Sequence, residues 1–184
     1  MSELTKSSYV ILGLLSKSPH SGYELKRVIA RASAASSFYW SESNAQIYPV
    51  LKKLEGQGLV NSAIDAASGA RNKRVYTITK KGQTELMQWL KKDCELAVYR
   101  EEFLLQLSLA QHLTAEELLN KLRFYKQSIA HKLTLLESII DHIQVDHAGR
   151  ADQRFLLLTY DHIKAMLEAK LQWCEKTLKN LAVD

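Results

Sequence analysis

Apolar residues recur at helical spacing in two segments near the start of the chain, 5–16 and 22–32, which predicts two short amphipathic helices. The residues between them, 19–22, predict a turn. Ser21, with Glu24 three positions later, forms a capping-box pattern and marks the start of the second helix.

A third helix is predicted over residues 43–57, with aliphatic side chains on one face at Ile47, Leu51 and Leu54. The other face is polar and carries Asn44, Gln46, Tyr48, Lys52 and Lys53. Because Pro49 lacks an N–H, we expect this helix either to begin late or to bend at Tyr48.

Two β-strands are predicted next, at 59–64 and 74–78, since the second of them is β-branched or aromatic through most of its length. The loop between them is long and polar, and three basic residues lie at or beside it: Arg71, Lys73 and Arg74. A fourth helix is expected from about Lys80 into the nineties, with Leu86, Trp89 and Leu90 on its buried side.

The rest of the chain is predicted to be helical throughout. Segment 102–110 is apolar nearly all round and is therefore expected to be buried. A capping box, Thr114 with Glu117, opens a long helix that ends near residue 145. After Gly149 a last helix is expected over 152–181.

The two long helices carry apolar stripes close to a heptad repeat, which is typical of helices that pair. From these stripes we predict a dimer contact through Leu118, Leu122, Tyr125, Ile129, Leu133, Leu136, Ile163, Leu167, Leu171 and Leu178. The last helix has a second apolar stripe, so its apolar surface exceeds what one neighbour would cover.

Composition agrees with a folded, mainly helical protein, because glycine (7) and proline (2) are scarce. No apolar run approaches the roughly 20 residues of a membrane-spanning helix, and the N-terminus has no secretory pattern. We therefore expect a cytoplasmic protein with no membrane partner. Its two cysteines, Cys94 and Cys174, are interpreted as buried thiols, with a redox sensor as the alternative.

Charge is divided unevenly along the chain. Residues 1–92 carry 14 Lys and Arg against 6 Asp and Glu, whereas residues 93–184 carry 11 against 14. A basic N-terminal half indicates a polyanionic partner. We therefore predict two domains, a winged helix-turn-helix DNA-binding domain over 1–92 and an all-helical dimerisation domain over 93–184.

The order of three helices and a basic hairpin favours double-stranded DNA as the partner. The third helix can enter the major groove, where the amides of Asn44 and Gln46 match adenine edges. Tyr48 and Lys52 can reach a phosphate or a base. The basic wing residues Arg71, Lys73 and Arg74 can grip the backbone or enter the minor groove. Each piece alone is also typical of an ordinary solvated surface.

The first 90 residues resemble the PadR family of bacterial transcriptional regulators. The resemblance is carried by Ile11–Leu15, Ser21–Leu25, Gln46–Glu55, Gly58–Val60 and Tyr76–Thr79 with Gly82 and Trp89. It implies a winged helix, a homodimer, operator binding and usually repression. It also implies that Tyr23 and Tyr48 lie near the DNA, and that a phenolic or other aromatic effector releases it. Phe38, Trp40, Trp89 and Phe103 are the candidate effector residues, with core packing as the alternative role.

Motifs of nucleotide-binding proteins and serine hydrolases are absent, and we expect no enzyme activity, cofactor or metal site. His142 and Asp146, four residues apart, are interpreted as an exposed helix pair rather than metal ligands. The leading interpretation is a dimeric repressor. An activator of the same fold and a winged helix used for protein contacts are the alternatives.

Overall fold

The computed structural model describes residues 4–36, 47–65, 73–96, 101–146 and 148–181. The chain divides into two compact units, Met1–Leu96 and Ala97–Asp184. The first contains α1 (Lys6–Leu15), β1 (His20–Ser21), α2 (Gly22–Ser36), α3 (Ile47–Gly56), β2 (Val60–Asp65), β3 (Lys73–Ile78) and α4 (Lys80–Lys91). The second contains α5 (Glu102–Ser108), a 3-10 turn (Ala110–His112), α6 (Ala115–Asp146) and α7 (Gln153–Leu181).

The first unit is a winged helix, which confirms the predicted fold class. Strands β2 and β3 form an antiparallel hairpin with Val60 opposite Ile78. The two-residue strand β1 adds to the other edge of β3, giving the order β1-β3-β2. We had predicted a turn at these positions. Two residues are too few for a periodic pattern, and only the pairing with β3 makes them a strand.

The hydrophobic core of this unit draws on every helix and on the hairpin. Its fully buried members are Ile11, Leu12, Leu25, Leu51, Leu54 and Val60. Gly58 ends the third helix with a φ of 68°, a left-handed conformation that favours glycine. Glycine is required at position 82 for a different reason, since a Cβ there would lie 2.2 Å from the Leu59 carbonyl oxygen. The start of α4 is thus held directly against the turn that joins α3 to β2.

In the second unit, α6 and α7 pack lengthwise as a helical hairpin. Thr114 and Glu117 form the predicted capping box, in which the Thr114 N–H donates to Glu117 Oε2 at 2.8 Å and the Glu117 N–H donates to Thr114 Oγ1 at 3.2 Å. Cys174 is buried between the helices with Ile129 and Leu133. Burial raises the pKa of its thiol, so it packs as a small apolar group.

Several burial predictions were wrong. On α4, Leu90 is 61% exposed and Trp89 is 39% exposed, although both were predicted on its buried side. Helix α5 exposes Leu104, Leu105 and the following Leu109 instead of being buried. Cys94 is exposed, while Cys174 is buried. A single chain has too little surface around α5 to cover every side of an apolar helix. The apolar pattern in the sequence does not show how much of the helix surface one chain can cover.

Candidate nucleic-acid interface

The start of α2 is fixed by a capping box that also binds the wing. The Ser21 N–H and hydroxyl donate to Glu24 Oε2 at 2.8 and 2.9 Å, and the Glu24 N–H donates to Ser21 Oγ at 3.2 Å. The other oxygen, Glu24 Oε1, accepts a hydrogen bond from Lys73 Nζ at 2.7 Å. This bond, followed by those from Ser21, lowers the pKa of Glu24 to about 2. A charged Glu24 therefore joins α2 to the first residue of β3.

Tyr48 lies across the first turn of α2. A Cβ added to Gly22 would come within 2.6 Å of Tyr48 Cε1, so only glycine leaves room for the ring there. Tyr48 remains 57% exposed, and the adjacent Tyr23 is 68% exposed. Large aromatic side chains this exposed have little packing role and are available to a partner. The two tyrosines implied by the family resemblance therefore lie at the junction of α2 and α3.

The exposed face of α3 follows from its buried one. Ile47, Leu51 and Leu54 point into the core, which turns Tyr48 and Lys52, one helical turn apart, toward solvent. Pro49 occupies the first turn, where backbone N–H groups have no partner within the helix. Its missing N–H therefore costs the helix nothing. Within the described residues the helix begins at Ile47, two positions before this proline.

The base of the wing is neutralised by carboxylates. Arg74 Nε donates to Ser62 Oγ at 2.7 Å, and Arg74 Nη2 lies 3.5 Å from Glu55 Oε1. Lys73 is paired with Glu24 at 2.7 Å, as above. Two of the three wing cations predicted to grip DNA, Lys73 and Arg74, are thus engaged within the domain. Glu24 and Glu55 were missed as site residues, because no sequence pattern links them to a strand 19 to 49 residues away.

The structure describes five of the eight predicted DNA contacts. Asn44, Gln46 and Arg71 lie outside the described residues, and their assignment stays a prediction. Tyr23, Tyr48 and Lys52 are exposed on α2 and α3. Lys73 is paired with Glu24 of α2 and Arg74 with Glu55 of α3, so both cations lie beside these helices.

The candidate effector residues do not form one described site. Trp89 stacks on Tyr9 in the first unit, with ring centroids 4.5 Å apart and 8° between the planes. Phe103 belongs to the second unit, where it stacks on Tyr125 with centroids 3.6 Å apart. Phe38 and Trp40 lie outside the described residues. A cavity of about 540 Å³ opens beside Trp89, lined also by Leu4, Lys6, Tyr9, Gln57, Leu59, Lys81, Glu85, Gln88 and Lys92.

Part of the predicted dimer stripe is used inside the chain. Five of its residues are at most 9% exposed in the α6–α7 hairpin: Leu122, Ile129, Leu133, Leu136 and Ile163. Side chains that the chain itself buries have no surface left for a partner, so we withdraw a direct dimer contact for these five. The others, which stay partly exposed, keep that role as a prediction: Leu118, Tyr125, Leu167, Leu171 and Leu178.

The start of α5 is anchored on the hairpin. Glu101 accepts hydrogen bonds from the Tyr125 hydroxyl and, at 2.8 Å, from Lys170 Nζ. Burial disfavours the Glu101 carboxylate, but these two bonds outweigh it and hold its pKa below the ordinary value. Burial and the nearby Glu101 raise the pKa of Tyr125.

His142 and Asp146 form an exposed helix pair at 3.1 Å, as expected. Within the described part of the chain, no three His, Cys, Asp or Glu side chains are grouped as metal ligands. No helix among those residues is both long enough and apolar enough to cross a membrane.

Two family models match the chain. The Transcriptional regulator PadR-like family matches residues 11–88, and the model Virulence activator alpha C-term matches residues 99–182. A curated relative, the negative transcriptional regulator PadR of Bacillus subtilis, is 32% identical over 110 residues. That match spans 59% of this chain and 59% of the relative's own length.

Solved structures share the fold over nearly the whole chain. Bacillus subtilis PadR in complex with operator DNA matches with a TM-score of 0.82 and 24% identity, covering 96% of this chain and 99% of the other. The same protein in complex with p-coumaric acid gives a TM-score of 0.81 at 24% identity, covering 95% and 98%. The Vibrio cholerae virulence activator AphA matches with a TM-score of 0.62 and 25% identity, covering 96% and 98%.

Proposed function

We propose, given that the chain belongs to the PadR-like family of transcriptional regulators, that it binds a specific operator in double-stranded DNA and regulates transcription. The observation that carries the proposal is the exposed face of α3, where Tyr48 and Lys52 stand beside a wing held by two ion pairs. A helix of this size fits the major groove, where each base pair presents a distinct pattern of donors and acceptors. Asn44 and Gln46 lie just before α3 in the sequence and are the proposed base-reading residues.

The working form is proposed to be a homodimer. One winged helix reads only a few base pairs, whereas two copies related by a twofold axis read two half-sites. The exposed leucines of α5 and its following turn, Leu104, Leu105 and Leu109, supply apolar surface that a single chain leaves uncovered. We assign them to the dimer contact together with the partly exposed members of the α6–α7 stripe.

Repression is the proposed sign of regulation, since the Bacillus subtilis relative is a negative regulator. One observation favours activation as a second candidate: the second unit matches a virulence-activator model. A reporter gene driven by the bound promoter separates them, because deleting a repressor raises expression and deleting an activator lowers it.

An aromatic carboxylate is the proposed effector, by analogy with the p-coumaric acid bound to Bacillus subtilis PadR. The cavity beside Trp89 offers an aromatic wall and three lysines against one carboxylate, Glu85, so its net positive charge complements a carboxylate. Binding there should quench Trp89 fluorescence and release DNA in a gel shift. Trp89→Leu should lose the release but keep DNA binding.

Acting on chromosomal DNA places the protein in the cytoplasm, and we assign it no enzymatic step. The test of the function is selection of bound duplexes from a random pool, followed by footprinting. A shared palindromic motif supports the proposal. A pool that stays random while the protein captures a protein partner instead would favour the protein-contact alternative.

A further inference from the structure

One face of α2 carries cations that no carboxylate neutralises. Tyr23, Lys26 and Arg27 recur at spacings of three and four, and all three are exposed. Among the described residues, neither Lys26 nor Arg27 has a carboxylate partner within ion-pair distance. At the base of the wing the opposite holds, because Lys73 and Arg74 are paired with Glu24 and Glu55.

This face adjoins the exposed side of α3. The first turn of α2 touches α3 at Gly22, whose Cα hydrogen points at the Tyr48 ring. Lys26 is four residues further along α2, so it extends from nearly the same side of the helix, one turn beyond the ring. Glu24, in contrast, projects from another side toward the wing. Lys26 therefore flanks the surface that holds Tyr48, and Arg27 lies next to it.

We propose that the α2 face formed by Tyr23, Lys26 and Arg27 binds the phosphate backbone of duplex DNA and is a main electrostatic contact of the domain. The proposal rests on the proposed function. It assigns part of the protein's sequence-independent affinity for DNA to this face of α2. A free ammonium or guanidinium gains fully from a phosphate, whereas Lys73 and Arg74 would first have to give up a carboxylate. Tyr23 can donate its hydroxyl to the same backbone.

Each phosphate contact releases condensed counterions, so log K falls with log salt by about 0.9 per contact on duplex DNA. Losing one contact per half-site should therefore reduce the salt slope by about one per half-site. At about 0.1 M salt, loss of the counterion release from one phosphate contact lowers the affinity roughly eightfold.

The test compares Lys26→Gln and Arg27→Gln with wild type on a random-sequence duplex of roughly 30 base pairs, long enough for two half-sites. Lys91→Gln is the matched control, because it removes the same charge from an exposed position on α4. Fluorescence anisotropy at several salt concentrations gives affinity and slope. Unchanged circular dichroism melting shows that each variant is folded.

Reduced slopes in both α2 variants, with a wild-type slope in Lys91→Gln, are the expected result. Equal slopes in all three variants would overturn the proposal, since the effect would then be one of net charge alone. Slopes matching wild type in the α2 variants would overturn it as well. Failure of wild type to bind any duplex would instead refute the proposed function, so the two failures are distinguishable.

Discussion

Replacing Glu24 with glutamine isolates the charge that joins α2 to the wing. Glutamine keeps an oxygen for the capping box with Ser21 but loses the ion pair to Lys73 Nζ at 2.7 Å. Charge-assisted hydrogen bonds are about twice as strong as neutral ones. The Glu24 side chain is 42% exposed, and solvent screening limits the loss of unfolding free energy to about 1 kcal/mol.

The loss should depend on pH in a defined direction. The pKa of Glu24 in the folded protein is about 2, below the ordinary 4.5, so its stabilising effect is complete above about pH 4.5. It declines as the pH falls toward 2, to less than half by about pH 3. At pH 7 the first unit of Glu24→Gln should melt roughly 4–8 °C below wild type, and near pH 3 the gap should narrow.

Calorimetry of the full chain at both pH values measures this gap. Glu117→Gln is the matched control, because Glu117 forms the same box with Thr114 in the second unit and has no lysine partner among the described side chains. Lys73→Gln should reproduce the loss without altering the box. Identical melting of Glu24→Gln and wild type at pH 7, or a difference in melting temperature that does not narrow in acid, would show that the charge of Glu24 does not stabilise the first unit.

Three other changes test separate parts of the molecule. Tyr48→Ala should weaken binding to the selected operator but leave the melting temperature unchanged, as gel shifts and circular dichroism would reveal; equal affinity would remove Tyr48 from the interface. Gly82→Ala forces a Cβ to 2.2 Å from the Leu59 carbonyl oxygen, and urea unfolding should report a loss of about 1–3 kcal/mol. Leu105→Glu should convert the proposed dimer to monomers in light scattering, since this leucine is 64% exposed in one chain; an intact dimer would place the contact elsewhere.

Local signals explain what could be predicted from sequence. The two capping boxes at Ser21 and Thr114 depend on residues three positions apart, and both are present in the structure. The order of helices and hairpin follows from periodicity in the same way. This is why the winged helix and the helical second unit were predicted correctly.

Contacts between distant segments explain the errors. Strand β1 exists only because β3 pairs with it, and the carboxylates that neutralise Lys73 and Arg74 lie 49 and 19 residues away. The stripe on α6 was predicted to meet another chain, but α7 covers much of it. An apolar stripe indicates that a helix face is buried, but it does not show which helix covers that face.

We propose that the Tyr48–Lys52 side of α3 lies in the major groove of the operator. Methylation of guanine N7, an atom exposed in that groove, tests it most directly on a duplex selected by the protein. We predict two protected clusters related by twofold symmetry, about one or two helical turns apart, with weaker protection by Tyr48→Ala. Guanine N7 atoms that react equally with and without the protein, on a duplex it demonstrably binds, would contradict the claim.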